Sequence, residues 1–240
     1  STDDLSLRSK VIYALGELRS NDRQAVGILK QTLERSPEPS LRAAAAYALG
    51  KIGKEHPEVA RLVLPSFYEI VVSEDGVSDE LRTSATYSIA VIGIQSNNLP
   101  VNIDRNTIVN GLITVYNNAM RSNSDNSEAL GAIALYSMSQ LGADNEHVAK
   151  LFAGSLQSNR PTNIRVIAAT YAGDLPRWNE EIVDALIAAV QDSNLTLRFN
   201  AILSLGQKPN FGSGGLNEEY REEITTVLSE VFWNEREYLH

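Results

Sequence analysis

Four tyrosines, Tyr13, Tyr47, Tyr87 and Tyr136, recur in one sequence context, each six residues after an aliphatic residue (Leu7, Leu41, Leu81 and Leu130). Tyrosine offers rigid aromatic area and a hydroxyl handle, so a row of them is chemistry for holding a peptide. Groups that make and break bonds are sparse. His56, His147 and His240 lie in different segments, with no His-Glu pair and no i, i+4 spacing that would put two ligands on one helix face, so no metal site is expected. The chain has no cysteine, which removes disulfides, thiolate nucleophiles and cysteine-ligated metals together. The loop Gly212–Gly215 (GSGG) lacks the lysine and hydroxyl of a phosphate-binding loop and follows no strand, so it reads as a flexible turn. Trp178 and Trp233 are too isolated to form a pocket for a base. No catalytic residue, cofactor or reaction is assigned.

A chain of 240 residues with 43% hydrophobic and 21% charged content is a folded one. Its net charge of −9 opposes nucleic acid and anionic membrane surfaces, and favours a protein or peptide partner, basic ones most easily. The acidity gathers at the end, where Glu218, Glu219, Glu222, Glu223, Glu230, Glu235 and Glu237 face only Arg221 and Arg236. No apolar run reaches membrane-spanning length and no basic-then-apolar leader opens the chain, so a cytoplasmic protein is expected. Ser1 in place of methionine suggests processing or excision from a longer chain.

The elements that position the tyrosines come from an internal repeat. SLRSKVIYALGELR (6–19), SLRAAAAYALGKIG (40–53), ELRTSATYSIAVIG (80–93) and TLRFNAILSLGQKP (196–209) share one template, and ALGAIALYSMSQLG (129–142) and NIRVIAATYAGDLP (163–176) are degenerate copies. The leading residues Leu7, Leu41, Leu81, Leu130, Ile164 and Leu197 are spaced by 34, 40, 49, 34 and 33, the period of a helical-pair solenoid. Apolar positions 0, 4, 8 and 11 of a copy (Leu41, Ala45, Leu49, Ile52) form one helical stripe, and the tyrosine position lies roughly opposite.

Second amphipathic segments lie between the copies, near 22–35, 57–73, 104–122, 145–158, 179–192 and 218–237. Pro37, Pro39 and Pro161 mark joints, being unable to continue a helix interior. The insertions at 95–103 and 122–127 and the glycine-rich loop at 210–217 read as tolerated surface loops or as binding loops on one side.

LRAAAAYALGKIG at Leu41–Gly53 resembles the HEAT repeat, in particular the bacterial and archaeal HEAT-like type named after phycobilisome lyases, and the resemblance runs over nearly the whole chain. It implies an all-α, right-handed α-α superhelix of about six helical-pair repeats, a single domain over 1–240, with the second helix of each pair lining a concave face. It further implies a ladder between repeats made by an acidic turn residue and the arginine of the second helix. Arg8, Arg42, Arg82, Arg165 and Arg198 match the arginine column, and Asp192 matches the acidic one. These arginines read either as packing groups that satisfy turn carbonyls or as a basic stripe for anions.

The tyrosine row likewise reads as an aromatic strip for a partner on the concave face or as packing between repeats with its hydroxyls at the rim. Tyr171 is displaced from it by one position and Leu203 ends it. The last helix reads as an acidic dock or as a polar cap, with Val227, Leu228, Val231, Phe232 and Trp233 facing inward. At the other end, helix 6–19 lacks its pair, as in a truncated or excised solenoid. The iron-dependent HEAT-repeat deoxyhypusine hydroxylase is set aside for want of His-Glu pairs, and HEAT-like DNA glycosylases for want of positive charge. The expected function is a non-catalytic scaffold binding a protein or peptide segment through Tyr13, Tyr47, Tyr87 and Tyr136, without nucleic acid, membrane or metal. The alternative is a phycobilin lyase-like enzyme or lyase subunit acting on a bilin.

Overall fold

The computed structural model describes residues 2–73, 76–93, 103–122, 126–207 and 218–236. The GSGG turn, most of the three connections singled out above, and His240 lie outside these residues. All regular structure among the described residues is α-helical, and the fold is an all-α repeat solenoid. The helices group into two compact units, Ser1–Leu141 and Gly142–His240.

The first unit holds α1 (Thr2–Leu18), α2 (Arg23–Arg35), α3 (Pro39–Glu55), α4 (Pro57–Val72), α5 (Asp79–Ile92), α6 (Arg105–Arg121) and α7 (Ser127–Gln140). Their starts are written locally. Asp22, Ser78 and Asp104 accept hydrogen bonds from backbone N–H groups of the first turn they precede, and Pro39 and Pro57 take first-turn positions where no N–H partner is needed. Gly93 closes α5 at φ 68°, a conformation that costs other residues strain. Pro65 departs from the pattern of prolines at joints, since it lies inside α4.

α1, α3, α5 and α7 pack on one another in succession, closer than α2, α4 and α6 do. Small residues permit this. Ala43–Ala46 are fully buried, a Cβ on Gly16 would lie 2.7 Å from the Ala48 Cα, and one on Gly50 would lie 2.5 Å from the Ser88 Cβ. Buried serines add rungs between neighbouring helices: the Ser88 hydroxyl donates to the Ala46 carbonyl (2.9 Å) and that of Ser137 to the Thr86 carbonyl (3.1 Å). These four helices form the closer-spaced, inner layer of this unit.

The second unit holds α8 (Glu146–Ser155), α9 (Thr162–Ala172), α10 (Glu180–Val190), α11 (Leu195–Gln207) and α12 (Glu218–Arg236). α9 packs on α11 as the inner helices of the first unit do, with Ser204 donating to the Ala169 carbonyl and accepting from the Gly173 N–H (3.2 Å). α12 packs sparsely against α10, and Ile224 is its buried residue among those described. Phe232 and Trp233 are each 61% exposed, so they do not supply the inward face expected of them; the two rings contact each other instead, 5.6 Å apart.

The arginine column resolves toward packing. Arg42 donates to the Leu33 carbonyl (2.9 Å), Arg82 to those of Val71 (2.8 Å) and Ser73 (2.6 Å), Arg165 to Leu156 (3.2 Å) and Arg198 to Asp192 (3.0 Å). Each guanidinium thus satisfies carbonyls that the end of the preceding helix leaves without intrahelical partners. Arg8 differs and pairs with Asp4 (2.9 Å) on its own exposed face.

Candidate functional site

The repeat brings the four tyrosines of the first unit into one ladder. α1, α3, α5 and α7 each place one ring, because all four sit at the same offset from a residue of the apolar stripe. Ring centroids lie 5.4 Å apart for Tyr13 and Tyr47, 5.8 Å for Tyr47 and Tyr87, and 6.2 Å for Tyr87 and Tyr136. The first contact is edge-on at 62°, whereas the next two are nearly parallel at 8° and 20°. Tyr13 is 42% exposed and the other three are half-buried. The rings therefore pack across repeats and also present a continuous aromatic ribbon to solvent.

Charge touches only one end of this ribbon. The Tyr47 hydroxyl donates to the Glu17 carboxylate (3.2 Å), Lys51 Nζ lies 3.3 Å from that carboxylate, and the ammonium is 5.5 Å from the Tyr47 ring centroid. A hydrogen bond with Tyr47, and then the Glu17 carboxylate, hold the Lys51 ammonium above its ordinary range. One turn to either side of Tyr87 stand Thr83, Ser84 and Val91, and around Tyr136 stand Ala132, Ile133 and Gln140. None of these same-helix neighbours carries a charge.

Other candidates resolve differently. Leu7 and Val11 belong to the stripe that is buried in later copies, yet they are 62% and 52% exposed. With Ile28 they line an open groove of about 530 Å³ between α1 and α2, where none of the described helices covers α1. His56 is half-buried: it ends α3, precedes α4, and its Nε2 donates to the Arg19 carbonyl (2.8 Å). Nothing in the sequence near His56 announces that partner, which lies in the connection between α1 and α2. His147 is exposed beside Asn145. Trp178 is buried, its Nε1 donating to the Ala172 carbonyl (2.8 Å). Among the described residues, no three histidine, aspartate or glutamate side chains converge as metal ligands would, and no helix is long and apolar enough to cross a membrane.

Residues 1–90 match the family model described as HEAT repeats. Among solved structures, an archaeal HEAT-like repeats protein from Thermococcus onnurineus NA1 is similar at 14% identity and TM-score 0.56, over 94% of this chain and 88% of that one. A designed armadillo repeat protein in complex with the peptide (KR)4 is similar at 14% identity and TM-score 0.55, over 82% and 91%. Computationally designed armadillo repeat proteins for modular peptide recognition are similar at 15% identity and TM-score 0.50, over 83% and 86%. No curated protein sequence matches the chain.

Proposed function

From a chain whose residues 1–90 match the HEAT-repeat model, we propose a non-catalytic scaffold that binds a segment of a protein partner along Tyr13, Tyr47, Tyr87 and Tyr136. The observation that carries this reading is the continuity of the ladder: four rings in unbroken contact on the inner face of one unit, each with part of its surface open. Rigid aromatic side chains lose little entropy on contact and dominate binding energy where they cluster. Designed armadillo proteins of similar fold hold peptides, which agrees with this use of a solenoid face. The lyase alternative has no comparable observation behind it.

A selection of displayed peptides on the wild-type protein tests the proposal, with Tyr47→Ala/Tyr87→Ala of verified helicity as the counter-target. Peptides enriched on the wild type should fail to bind the double variant. Peptides held equally by both would overturn the assignment of the tyrosines.

A further inference from the structure

We infer that a second copy of this chain docks head to tail, the open faces of α1 and α2 on one copy taking the α11 and α12 end of another. The tyrosine site has no part in this contact.

The helices alternate between an outer and an inner role. α2, α4, α6, α8 and α10 each pack on the inner helix that follows them, which leaves α1 as an inner helix with no outer partner among the described residues and α12 as an outer helix with no inner one. Both expose apolar surface. Leu7 and Val11 of α1 line the groove of about 530 Å³ with Ile28 of α2, and α2 itself fills the equivalent place between α3 and α4. On α12, Phe232 and Trp233 line a smaller cavity of about 310 Å³. An exposed apolar face of this kind is what a helix-on-helix contact removes from water.

Inner helices stack through paired positions. A Cβ on Gly16 would meet Ala48, one on Gly50 would meet Ser88, and one on Gly173 would lie 3.3 Å from the Ser204 hydroxyl oxygen. Each of these glycines stands nine residues after the leading aliphatic residue of its own copy, and each partner seven after that of its copy. Gly206 holds the glycine position of α11, and a Cβ there would meet nothing within 4 Å. Phe199 and Leu203 share its face at spacings of seven and three residues, 58% and 45% exposed, whereas Ala43, which matches Phe199 in α3, is buried. This open seat calls for an inner helix with a small residue seven after its leading aliphatic one. α1 supplies it in Ala14, which is exposed. With α1 of a second copy stacked on α11, as α3 stacks on α1, α12 falls into the groove between α1 and α2 of that copy and completes its first repeat.

Charge agrees with this docking. α12 exposes Glu222 and Glu223 near its start and Glu230 farther on. α2, which α12 would run alongside, exposes Arg23 at its start and Arg35 at its end, while its acids are engaged locally, Asp22 as the cap and Glu34 with Lys30. Because the two surfaces differ, the contact is heterologous and adds copies in series.

Sedimentation equilibrium of the whole chain from about 1 to about 500 μM tests the inference. The apparent mass of the wild type should rise to at least about twice that of one chain. Leu7→Glu/Val11→Glu, which blocks the head, and Phe199→Glu/Leu203→Glu, which blocks the tail, should each remain at the mass of one chain with unchanged helicity. Gly206→Arg is a second tail variant, safer for folding because its site is open. A mixture of head and tail variants should form one-to-one dimers and nothing larger, since each keeps the face that the other lacks. A wild type that stays single throughout overturns the inference and leaves the open faces to a further helix of a longer chain or to another protein. Association that survives in the variants places the interface elsewhere, and a mixture that fails to pair denies the head-to-tail form; either result also overturns it.

Discussion

Arg165 on α9 donates to the Leu156 carbonyl at the end of α8 and also to the carboxylate of Asp192 beyond α10, so one guanidinium ties two successive turns of the second unit. Both side chains are largely shielded, at 12% and 17% exposed, which keeps the pair from being screened as surface pairs are. This link matches the arginine–acid ladder that the HEAT resemblance implies.

The backbone N–H of Asn194 (2.8 Å), and then Arg165, hold the Asp192 carboxyl below its usual range. A carboxyl with a lowered folded-state pKa contributes stability that is present above its unfolded value and fades as pH falls through the folded one. Asp192→Asn should therefore cost about 1 to 2 kcal/mol near neutrality. Its melting temperature should also drop less than that of the wild type between about pH 7 and pH 3. Thermal melts across that range check both, and parallel curves for the two proteins would remove the carboxylate from the explanation.

Arg82 closes the end of α4 through the Val71 and Ser73 carbonyls, and burial pulls its pKa down without taking its charge. Arg82→Ala should lose about 2 to 3 kcal/mol in urea denaturation, because carbonyls turned toward one cation lose it. Arg82→Lys should restore only part, since an ammonium cannot reproduce the planar fork. Full rescue by lysine would mean that charge alone matters there.

Two glycines should respond to alanine with opposite signs. Gly50→Ala forces a methyl against Ser88, with an expected loss of about 1 to 3 kcal/mol. Combined with Ser88→Gly it should cost less than the two single changes added together. Gly27 has open space around it within α2, so Gly27→Ala should gain about 0.5 to 1 kcal/mol. Chemical denaturation of the four proteins tests this, and additive behaviour of the pair would deny the contact.

Lys51 and Glu17 form a pair with 20% and 55% exposed side chains. Lys51→Met should change stability by less than about 0.5 kcal/mol. Urea denaturation of the two proteins checks this, and a larger loss would show that the ammonium supports the packing of the tyrosine column.

Much of the fold was legible because burial repeats with the sequence. Leu41, Ala45, Leu49 and Ile52 occupy the stripe at positions 0, 4, 8 and 11 and are almost completely buried. At the same positions in α1, Leu7, Val11 and Leu18 are exposed and Leu15 is half-buried, because a stripe says where a helix can pack and not whether a partner covers it. The tyrosines could be aligned by register alone, but not their ring angles, which depend on how closely Gly16 and Gly50 let neighbouring backbones approach. The partner of His56 could not be read from the sequence because it is a backbone carbonyl, and main-chain acceptors leave no mark in residue types.

The tyrosine column also makes the first unit report on itself optically. Rings whose centres lie 5.4 to 6.2 Å apart couple electronically, so excitation is shared among the four and their contribution to the near-ultraviolet circular dichroism belongs to the column more than to any single ring. Anything that spreads neighbouring repeats, whether heat, denaturant or a pull on the two ends of the unit, breaks that coupling before a single helix unwinds. The column is a strain gauge without a label, and its signal should fade ahead of the far-ultraviolet signal of the helices.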